Sequence, residues 1–292
     1  MRPPNGRLLK GPCMPLASGR ELLAAAVTGA YALPGFNISN VEMALGVLDA
    51  AQARRAPVLL QFNPSNLEHL GGIEVAAALA RSVAERATVP VGVHLDHGPQ
   101  VALLRKAVRC GFTSLMFDGS TFPYERNRTE TMAAYAVALE AGVSLEAELG
   151  HVGGREPGVA TSEMVLTDPE TAARFVTETR VDALAVSVGT AHGLAGSVNL
   201  ALVRELRVAT KGLPLVLHGG SGVKPRDLRA AVEAGIRKVN ISSEIHAVFA
   251  HALALTLTPS ARDPRPALLR AREAVAVVAA DRIDLLGAAN RA

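Results

Sequence analysis

Short apolar runs alternate with longer segments of helical periodicity along most of the chain. Many of the runs are rich in β-branched residues and have the length of strands. Predicted strands lie at residues 31–38, 57–62, 90–96, 112–117, 143–148, 182–187, 213–217 and 236–241. The run 57–62 is almost continuously apolar, which is typical of a parallel strand covered on both faces. The pattern therefore predicts a parallel sheet between layers of helix.

Each predicted strand is followed by a segment with a helical pattern. Predicted helices cover residues 39–55, 73–87, 101–110, 125–141, 200–209 and 225–234, begin near 168 and 242, and flank the strands at 21–28 and 267–286. The residues at the helix ends agree with these bounds. Gly111 is a suitable C-terminal cap, Asp168-Pro169 a suitable helix start, and Ser39 to Glu42 has the Ser-x-x-Glu form of a capping box.

Eight strand–helix units in strict alternation predict a closed (β/α)8 TIM barrel. A doubly wound open sheet is the alternative, but its first strand is usually followed by Gly-x-Gly-x-x-Gly. The sequence Asn37-Ile38-Ser39-Asn40 does not have that form. We expect one barrel domain over residues 21–292, which includes a C-terminal helical arm, and a loose N-terminal extension over residues 1–20.

Composition narrows the possible partners. The 292 residues are 49% hydrophobic and carry a net charge of +3 without a basic block, so no nucleic-acid surface is expected. Two cysteines, Cys13 and Cys110, make no disulfide framework and suit a reducing compartment. No apolar run reaches membrane-spanning length. We therefore expect a cytoplasmic protein without a membrane partner.

Polar side chains collect at the carboxyl ends of the predicted strands. They are Asn37, Asp96, His97, Asp118, Glu148, His192, His218 and Asn240. In a barrel these ends form one rim, which hosts the active site. Because His97, His192 and His218 come from the third, sixth and seventh units, three imidazoles can converge there, as in catalytic zinc sites.

The remaining histidines have ordinary explanations. A single histidine at a strand end is often a hydrogen-bonded structural residue, and we expect His94 to brace the rim in this way. The others are expected to be solvated: His69, His151, His246 and His251.

Two glycine- and serine-bearing loops predict a phosphate site. Gly219 to Gly222 follow the seventh strand, and Asn240 to Ser243 follow the eighth. Glycines let backbone N–H groups approach an anion, and a helix N-terminus favours negative charge. The loops after strands seven and eight are the usual phosphate position in barrels.

Several motifs together resemble the class II, zinc-dependent fructose-bisphosphate and tagatose-bisphosphate aldolases, from about residue 22 to 290. The motifs are His94-Leu95-Asp96-His97-Gly98, Gly111 to Ser120, Glu146-Ala147-Glu148-Leu149-Gly150, Gly189-Thr190-Ala191-His192-Gly193, His218-Gly219-Gly220-Ser221-Gly222 and Lys238-Val239-Asn240-Ile241. The resemblance implies cleavage of a phosphorylated ketose through an enediolate that zinc stabilises.

The resemblance also implies a role for each matching residue. His97, His192 and His218 would bind zinc, and Asp118 and Glu148 would line a second or alternative metal position. Asp96 would exchange a proton with the aldehyde oxygen, and Glu156 would move the proton next to the carbonyl. Substrate would contact Asn37, Gly193, Gly219, Gly220, Ser221, Asn240, Ile241, Ser242 and Ser243. A monovalent cation, Na⁺ or K⁺, and a homodimer or homotetramer are also expected.

Two departures from the family pattern affect the catalytic loop and the substrate contacts. Pro157 follows the proposed base Glu156 and restricts its backbone. Asn63 stands where the family has a Ser or Thr that contacts the distal phosphate, and Arg272 is one arginine that could replace that contact. A tagatose-bisphosphate or other phosphorylated-ketose aldolase therefore stays open as an alternative, as does a non-catalytic zinc-binding barrel.

Overall fold

The structure is a computed structural model, and it describes residues 16–154, 164–258 and 261–292. The strands are β1 (Leu33–Asn37), β2 (Val58–Phe62), β3 (Val91–Gly98), β4 (Ser114–Phe117), β5 (Ser144–Leu149), β6 (Ala183–Val186), β7 (Leu215–Leu217) and β8 (Ile236–Ile241). The helices are α1 (Gly19–Gly29), α2 (Val41–Arg54), α3 (Pro64–Leu70), α4 (Ile73–Ala84), α5 (Val101–Cys110), α6 (Tyr124–Ala141), α7 (Pro169–Thr179), α8 (Leu200–Ala209), α9 (Pro225–Ala234), α10 (Ser243–Thr256) and α11 (Arg265–Leu285).

The eight strands form a closed parallel barrel in chain order, and β1 pairs with β8 to complete it. The predicted TIM barrel is confirmed. Every residue of the eight strands is buried, because helices cover the outside and side chains fill the interior. The carboxyl ends of all eight strands therefore meet at one rim, as expected.

Local signals at the helix ends are partly as predicted. Gly111 takes the left-handed conformation with φ of +91° after α5, and the Asp168 side chain accepts a hydrogen bond from the Thr171 N–H at the start of α7. The predicted capping box at Ser39 is wrong. Asn40 caps α2 by accepting from the Met43 N–H, and the Ser39 hydroxyl instead contacts His246.

Helix α3 was not predicted. It begins with Pro64, directly after Asn63, and it is only 7 residues long. The Asn63 and Asn66 side chains each accept a hydrogen bond from the other residue's backbone N–H, which stabilises the first turn. This helix places Ser65, Asn66 and His69 beside the rim.

The C-terminal helix α11 packs against α2 and α10 on the outside of the barrel. Arg272 of α11 forms a bidentate ion pair with Asp49 of α2, with N···O distances of 2.7 and 2.8 Å. In this structure Arg272 is therefore engaged with Asp49, and its role in a distal phosphate contact stays a prediction. No helix in the described ranges combines the length and apolar character needed to cross a bilayer.

Candidate active site

Three imidazoles from distant segments meet at the rim. His97 lies on β3, His192 in the loop after β6, and His218 directly after β7. One ring nitrogen of each lies within 4.8 Å of the others. His97 has φ of +48°, and the β3–β4 pairing shifts register between Leu95 and Gly98, so the strand bends where this imidazole turns inward.

Two of the imidazoles are oriented by carboxylates. His97 Nδ1 lies 2.7 Å from Asp118 Oδ2, and His218 Nε2 lies 3.0 Å from Glu146 Oε1. If these nitrogens donate to the carboxylates, the lone pairs of His97 Nε2 and His218 Nδ1 face each other at 3.0 Å. Two facing lone pairs need a cation between them, so this arrangement suits a divalent metal and matches the carboxylate–histidine–metal pattern.

His192 is held by the loop that follows β5. Its backbone N–H donates to the Gly153 carbonyl oxygen at 2.9 Å, and Gly154 pairs with His192 in a short bridge. A Cβ atom at Gly154 would overlap the His192 backbone, and φ of Gly154 is +129°, so glycine is needed there. The loop therefore fixes where the third imidazole stands.

A second group of potential ligands shares His97. The ligand atoms of His97, Asp118 and Glu148 also lie within 4.8 Å of one another. Glu148 Oε2 is buried and has no hydrogen-bond partner in the described part of the chain. An unpartnered buried oxygen that faces an imidazole is compatible with an alternative metal position.

The charges at this centre depend strongly on one another. Burial raises the pKa of Glu148 to about 8, with a further contribution from the negative charge of Asp118. Burial alone would lower the pKa of His97, but Asp96 and Asp118 raise it well above its usual value. Without metal, His97 therefore carries the positive charge at this centre, and a bound divalent cation would supply that charge in place of the proton.

Asp96 lies between two amides. Its Oδ2 accepts from Asn37 Nδ2 at 2.7 Å, and its Oδ1 accepts from Asn240 Nδ2 at 2.9 Å. Burial would raise the pKa of Asp96, but the electrostatic effect of the neighbouring His97, His218 and Lys238 outweighs it and lowers that pKa. The carboxylate is therefore ionised and fixed in position at the floor of the cleft.

A cleft of about 580 Å³ opens above these residues. It is lined by Asn37, Ser39, Asn63, Ser65, Asn66, His69, Asp96, His192, Gly193, Gly219, Ser221, Asn240, Ser242, Ser243, His246 and Ala247. Most of the predicted substrate residues thus line one cleft. Gly220 and Ile241 do not line it: Gly220 packs against β8, and the Ile241 side chain is fully buried. Glu156 lies outside the described residues.

The glycine loop after β7 borders the N-terminus of α10. Gly219 has φ of +70°, and a Cβ atom there would lie 2.6 Å from the Ala191 carbonyl oxygen. The Ser221 hydroxyl oxygen accepts from the backbone N–H of Ser242 at 3.2 Å. Because it accepts there, its proton remains available to an anion, and the helix N-terminus favours the same ligand.

Two predictions about single histidines are wrong. His151 is buried, with Nδ1 3.0 Å from the Ser120 hydroxyl, and His246 bonds Ser39 and the Ser242 carbonyl oxygen. His94 Nδ1 contacts Ser114 Oγ at 2.7 Å, which is the bracing that was expected.

Sequence reasoning missed the contribution of Glu146 and Lys238. Both are buried inside the barrel and form an ion pair of 2.8 Å next to His218. The available signal was alternation, because every second residue of β5 faces inward and Glu146 shares a face with Glu148.

Comparisons with known proteins agree with the resemblance found in the sequence motifs. A family described as "Fructose-bisphosphate aldolase class-II" matches residues 17–291. The "Probable fructose-bisphosphate aldolase" of Bacillus subtilis (strain 168) is 37% identical over 286 residues, which covers 96% of this chain and 100% of that protein. The "Fructose-bisphosphate aldolase" of Staphylococcus aureus (strain Mu50 / ATCC 700699) is 36% identical with the same coverage.

Solved structures are similar over nearly the whole chain. The YdjI aldolase from Escherichia coli K12 has a TM-score of 0.84 at 34% identity, covering 95% of this chain and 100% of that chain. A putative fructose-1,6-biphosphate aldolase from Coccidioides immitis has a TM-score of 0.87 at 26% identity, covering 94% and 97%.

Proposed function

Because the chain belongs to the class II fructose-bisphosphate aldolase family, we propose that it reversibly cleaves fructose 1,6-bisphosphate. The products are dihydroxyacetone phosphate and glyceraldehyde 3-phosphate, and the enzyme is a lyase. The observation that carries this proposal is the convergence of three imidazoles on one point, beside an ionised carboxylate in the same cleft.

Zinc is the metal we propose for His97, His192 and His218. Three imidazoles with an open fourth position are a usual ligand set of catalytic zinc. When bound, zinc supplies a Lewis acid for the ketone oxygen and for the negative charge that develops there. Asp118 and Glu148 would line the alternative position, which the unpartnered Glu148 Oε2 supports.

Asp96 would transfer the proton of the hydroxyl group on the carbon that becomes the aldehyde. In the cleavage direction it accepts the hydroxyl proton as the carbon–carbon bond breaks, and in synthesis it returns that proton. Its lowered pKa supports the role of base in cleavage. Asn37 and Asn240 hold the carboxylate in one orientation, so the proton transfer needs no rearrangement.

Glu156 is proposed as the group that exchanges the proton on the carbon next to the carbonyl, on the strength of the resemblance. A Glu156→Gln variant tests this role separately. It should bind dihydroxyacetone phosphate but exchange that carbon-bound hydrogen with deuterated water much more slowly, as measured by proton NMR. Wild-type exchange would assign the base elsewhere.

The phosphate of the dihydroxyacetone half would lie against Gly193, the Gly219–Ser221 loop and residues 240–243. The cleft lining and the N-terminus of α10 support this position. A monovalent cation near the phosphate is proposed from the resemblance. Replacing K⁺ and Na⁺ in the assay by a large organic cation should raise KM if this ion takes part.

The distal end of the substrate sets the specificity. Asn63 lines the cleft, but its Oδ1 accepts the Asn66 N–H at the start of α3. The decisive experiment compares kcat/KM for fructose and tagatose bisphosphates, which differ at C4, with metal-stripped and zinc-loaded enzyme. A higher value for the tagatose compound would select the alternative substrate.

The same measurements test the mechanism. Full activity after exhaustive chelation would exclude the zinc mechanism, and a zinc-loaded protein that cleaves neither compound would favour a non-catalytic barrel.

The organisation of the protein is proposed from its sequence and from the resemblance to the family. We propose one domain over residues 21–292 with an extension over 1–20, a homodimer or homotetramer, and a cytoplasmic location. Light scattering of the purified protein gives the oligomeric state. A monomer at micromolar concentration would contradict the oligomer.

A further inference from the structure

A buried lysine lies directly beneath the proposed metal ligands. Lys238 is on β8, and its side chain is only 1% exposed. It is the only buried lysine in the described ranges. Its Nζ donates to Glu146 Oε2 and to Asn240 Oδ1, both at 2.8 Å.

A stabilising role is a weak explanation for this ion pair. Taking two charges out of water costs free energy that their attraction often only offsets, and apolar replacements of buried pairs are frequently neutral or better. The contacts of the two acceptors point to a different explanation, because both lead back to the proposed active site.

The first contact leads to a metal ligand. Glu146 accepts from Lys238 with one oxygen and lies 3.0 Å from His218 Nε2 with the other. An ionised carboxylate only accepts hydrogen bonds, so the 3.0 Å contact places the proton on Nε2 of His218. The longer contact of Nε2, 3.3 Å from Asn240 Nδ2, is then not a hydrogen bond, because both groups carry protons. The lone pair of His218 is then on Nδ1, which faces His97 Nε2.

The second contact leads to Asp96. The ammonium group has only donors, so it selects the oxygen of the Asn240 amide and turns the Asn240 NH₂ group away. That NH₂ group donates to Asp96 Oδ1 at 2.9 Å. With the amide reversed, an oxygen would face the Asp96 carboxylate and repel it.

We propose that Lys238 is a positioning residue that sets both the tautomer of His218 and the amide orientation of Asn240. One ammonium group thereby prepares the metal ligand and the proton acceptor together. The link to catalysis rests on the proposed aldolase function, whereas the link to His218 does not.

The test uses the full-length, metal-stripped protein as wild type, Lys238→Met and Lys238→Gln. Ser144→Ala is the matched control, because Ser144 is a buried residue of β5 that donates only to Ser114 Oγ among the described contacts. Long-range ¹H–¹⁵N NMR gives the tautomer of His218, assigned with a His218→Gln variant. Competition with a chromophoric chelator gives the zinc affinity.

In the wild type the proton should be on Nε2 of His218. In Lys238→Met the two tautomers should mix, and zinc affinity should fall about 10- to 100-fold, as for other residues that orient a ligand. Ser144→Ala should match the wild type in both measurements. A wild-type proton on Nδ1, or wild-type tautomer and affinity in both Lys238 variants, would overturn the proposal.

Kinetics at saturating zinc separate the effect of Lys238 on His218 from its effect on Asn240 and Asp96. In Glu146→Gln the amide oxygen can still accept from Lys238, so Asn240 keeps its orientation, whereas His218 Nε2 loses its ionised acceptor. The kcat of this variant should therefore recover once zinc saturates the site. Lys238→Met should keep a kcat lowered by about 10²-fold with a smaller change in KM, because Asp96 stays misplaced. Lys238→Gln decides the result if the Met variant does not fold. If the wild type cleaves no ketose bisphosphate, the proposed function fails, and the NMR and zinc results still decide the role of Lys238 at His218.

Discussion

Replacing the Asp96 carboxylate by an amide tests the proposed chemistry most directly. Asp96→Asn keeps the size of the side chain and removes the base. General acid–base catalysis contributes about 10²- to 10⁴-fold, so kcat should fall by that factor, or about 3–5 kcal/mol in activation free energy. The variant should still bind zinc, because the hydrogen bonds of Asp96 in the described structure go to Asn37 and Asn240 rather than to the imidazoles.

The structure also gives the cost in stability. Both neighbouring amides donate to Asp96, and an asparagine there offers one oxygen and one NH₂ group, so one donor loses its acceptor. A hydrogen bond to a charged group contributes about 1.5–3 kcal/mol. A loss of about 2 kcal/mol leaves a domain with typical stability of about 5–15 kcal/mol folded.

The assay couples dihydroxyacetone phosphate formation to NADH oxidation and measures bound zinc by mass spectrometry. Asp118→Asn is the control, because its carboxylate contacts His97 and the variant should lose zinc affinity yet recover rate at saturating zinc. A kcat for Asp96→Asn within about tenfold of wild type would refute the assignment of the base. Loss of stoichiometric zinc in Asp96→Asn would refute the separation of roles.

Three further predictions follow from the same geometry. His218→Ala should lose stoichiometric zinc and activity together, and zinc analysis of the purified variant checks this. In the metal-free protein, the free energy of unfolding should fall as pH rises from about 5 to 8. Burial and the charge of Asp118 raise the pKa of Glu148 to about 8 in the folded protein, so folded Glu148 keeps a proton that the unfolded chain releases near pH 4.3. Urea unfolding across this range should show a smaller decline for Glu148→Gln, and equal declines would contradict the assignment. Gly219→Ala should raise KM more than it lowers kcat, because the added Cβ meets the Ala191 carbonyl oxygen and displaces the loop; an unchanged KM would remove the loop from the phosphate site.

Periodicity and end signals predicted the barrel because they are local. The strand and helix patterns each depend on a few neighbouring residues, and eight repeats leave few ways to pack them. Helix α3 was not predicted because its 7 residues are too few to show a helical period. Its first turn is stabilised by the reciprocal Asn63–Asn66 contacts. The cap at Ser39 failed because Asn40 competes for the same role, and Ser39 finds a partner 207 residues away.

The candidate site was also predictable only in part from the sequence. The sequence places His97, His192 and His218 at strand ends, which is enough to predict that they meet. It does not show the bend that gives His97 a φ of +48°, because that depends on the β3–β4 pairing. Nor does it pair Lys238 with Glu146, since 92 residues and the curvature of the barrel lie between them.

The contact of Ser39 with His246 has a consequence for engineering. It is 2.7 Å long and joins the segment after β1 to helix α10, where the barrel closes. The same helix is tied to α11 by the ion pair of Glu244 with Arg282, at 2.6 Å. Libraries that aim to admit bulkier sugars should therefore vary α3, which begins directly after the carboxyl end of β2 and lines the same cleft, and leave α10 unaltered.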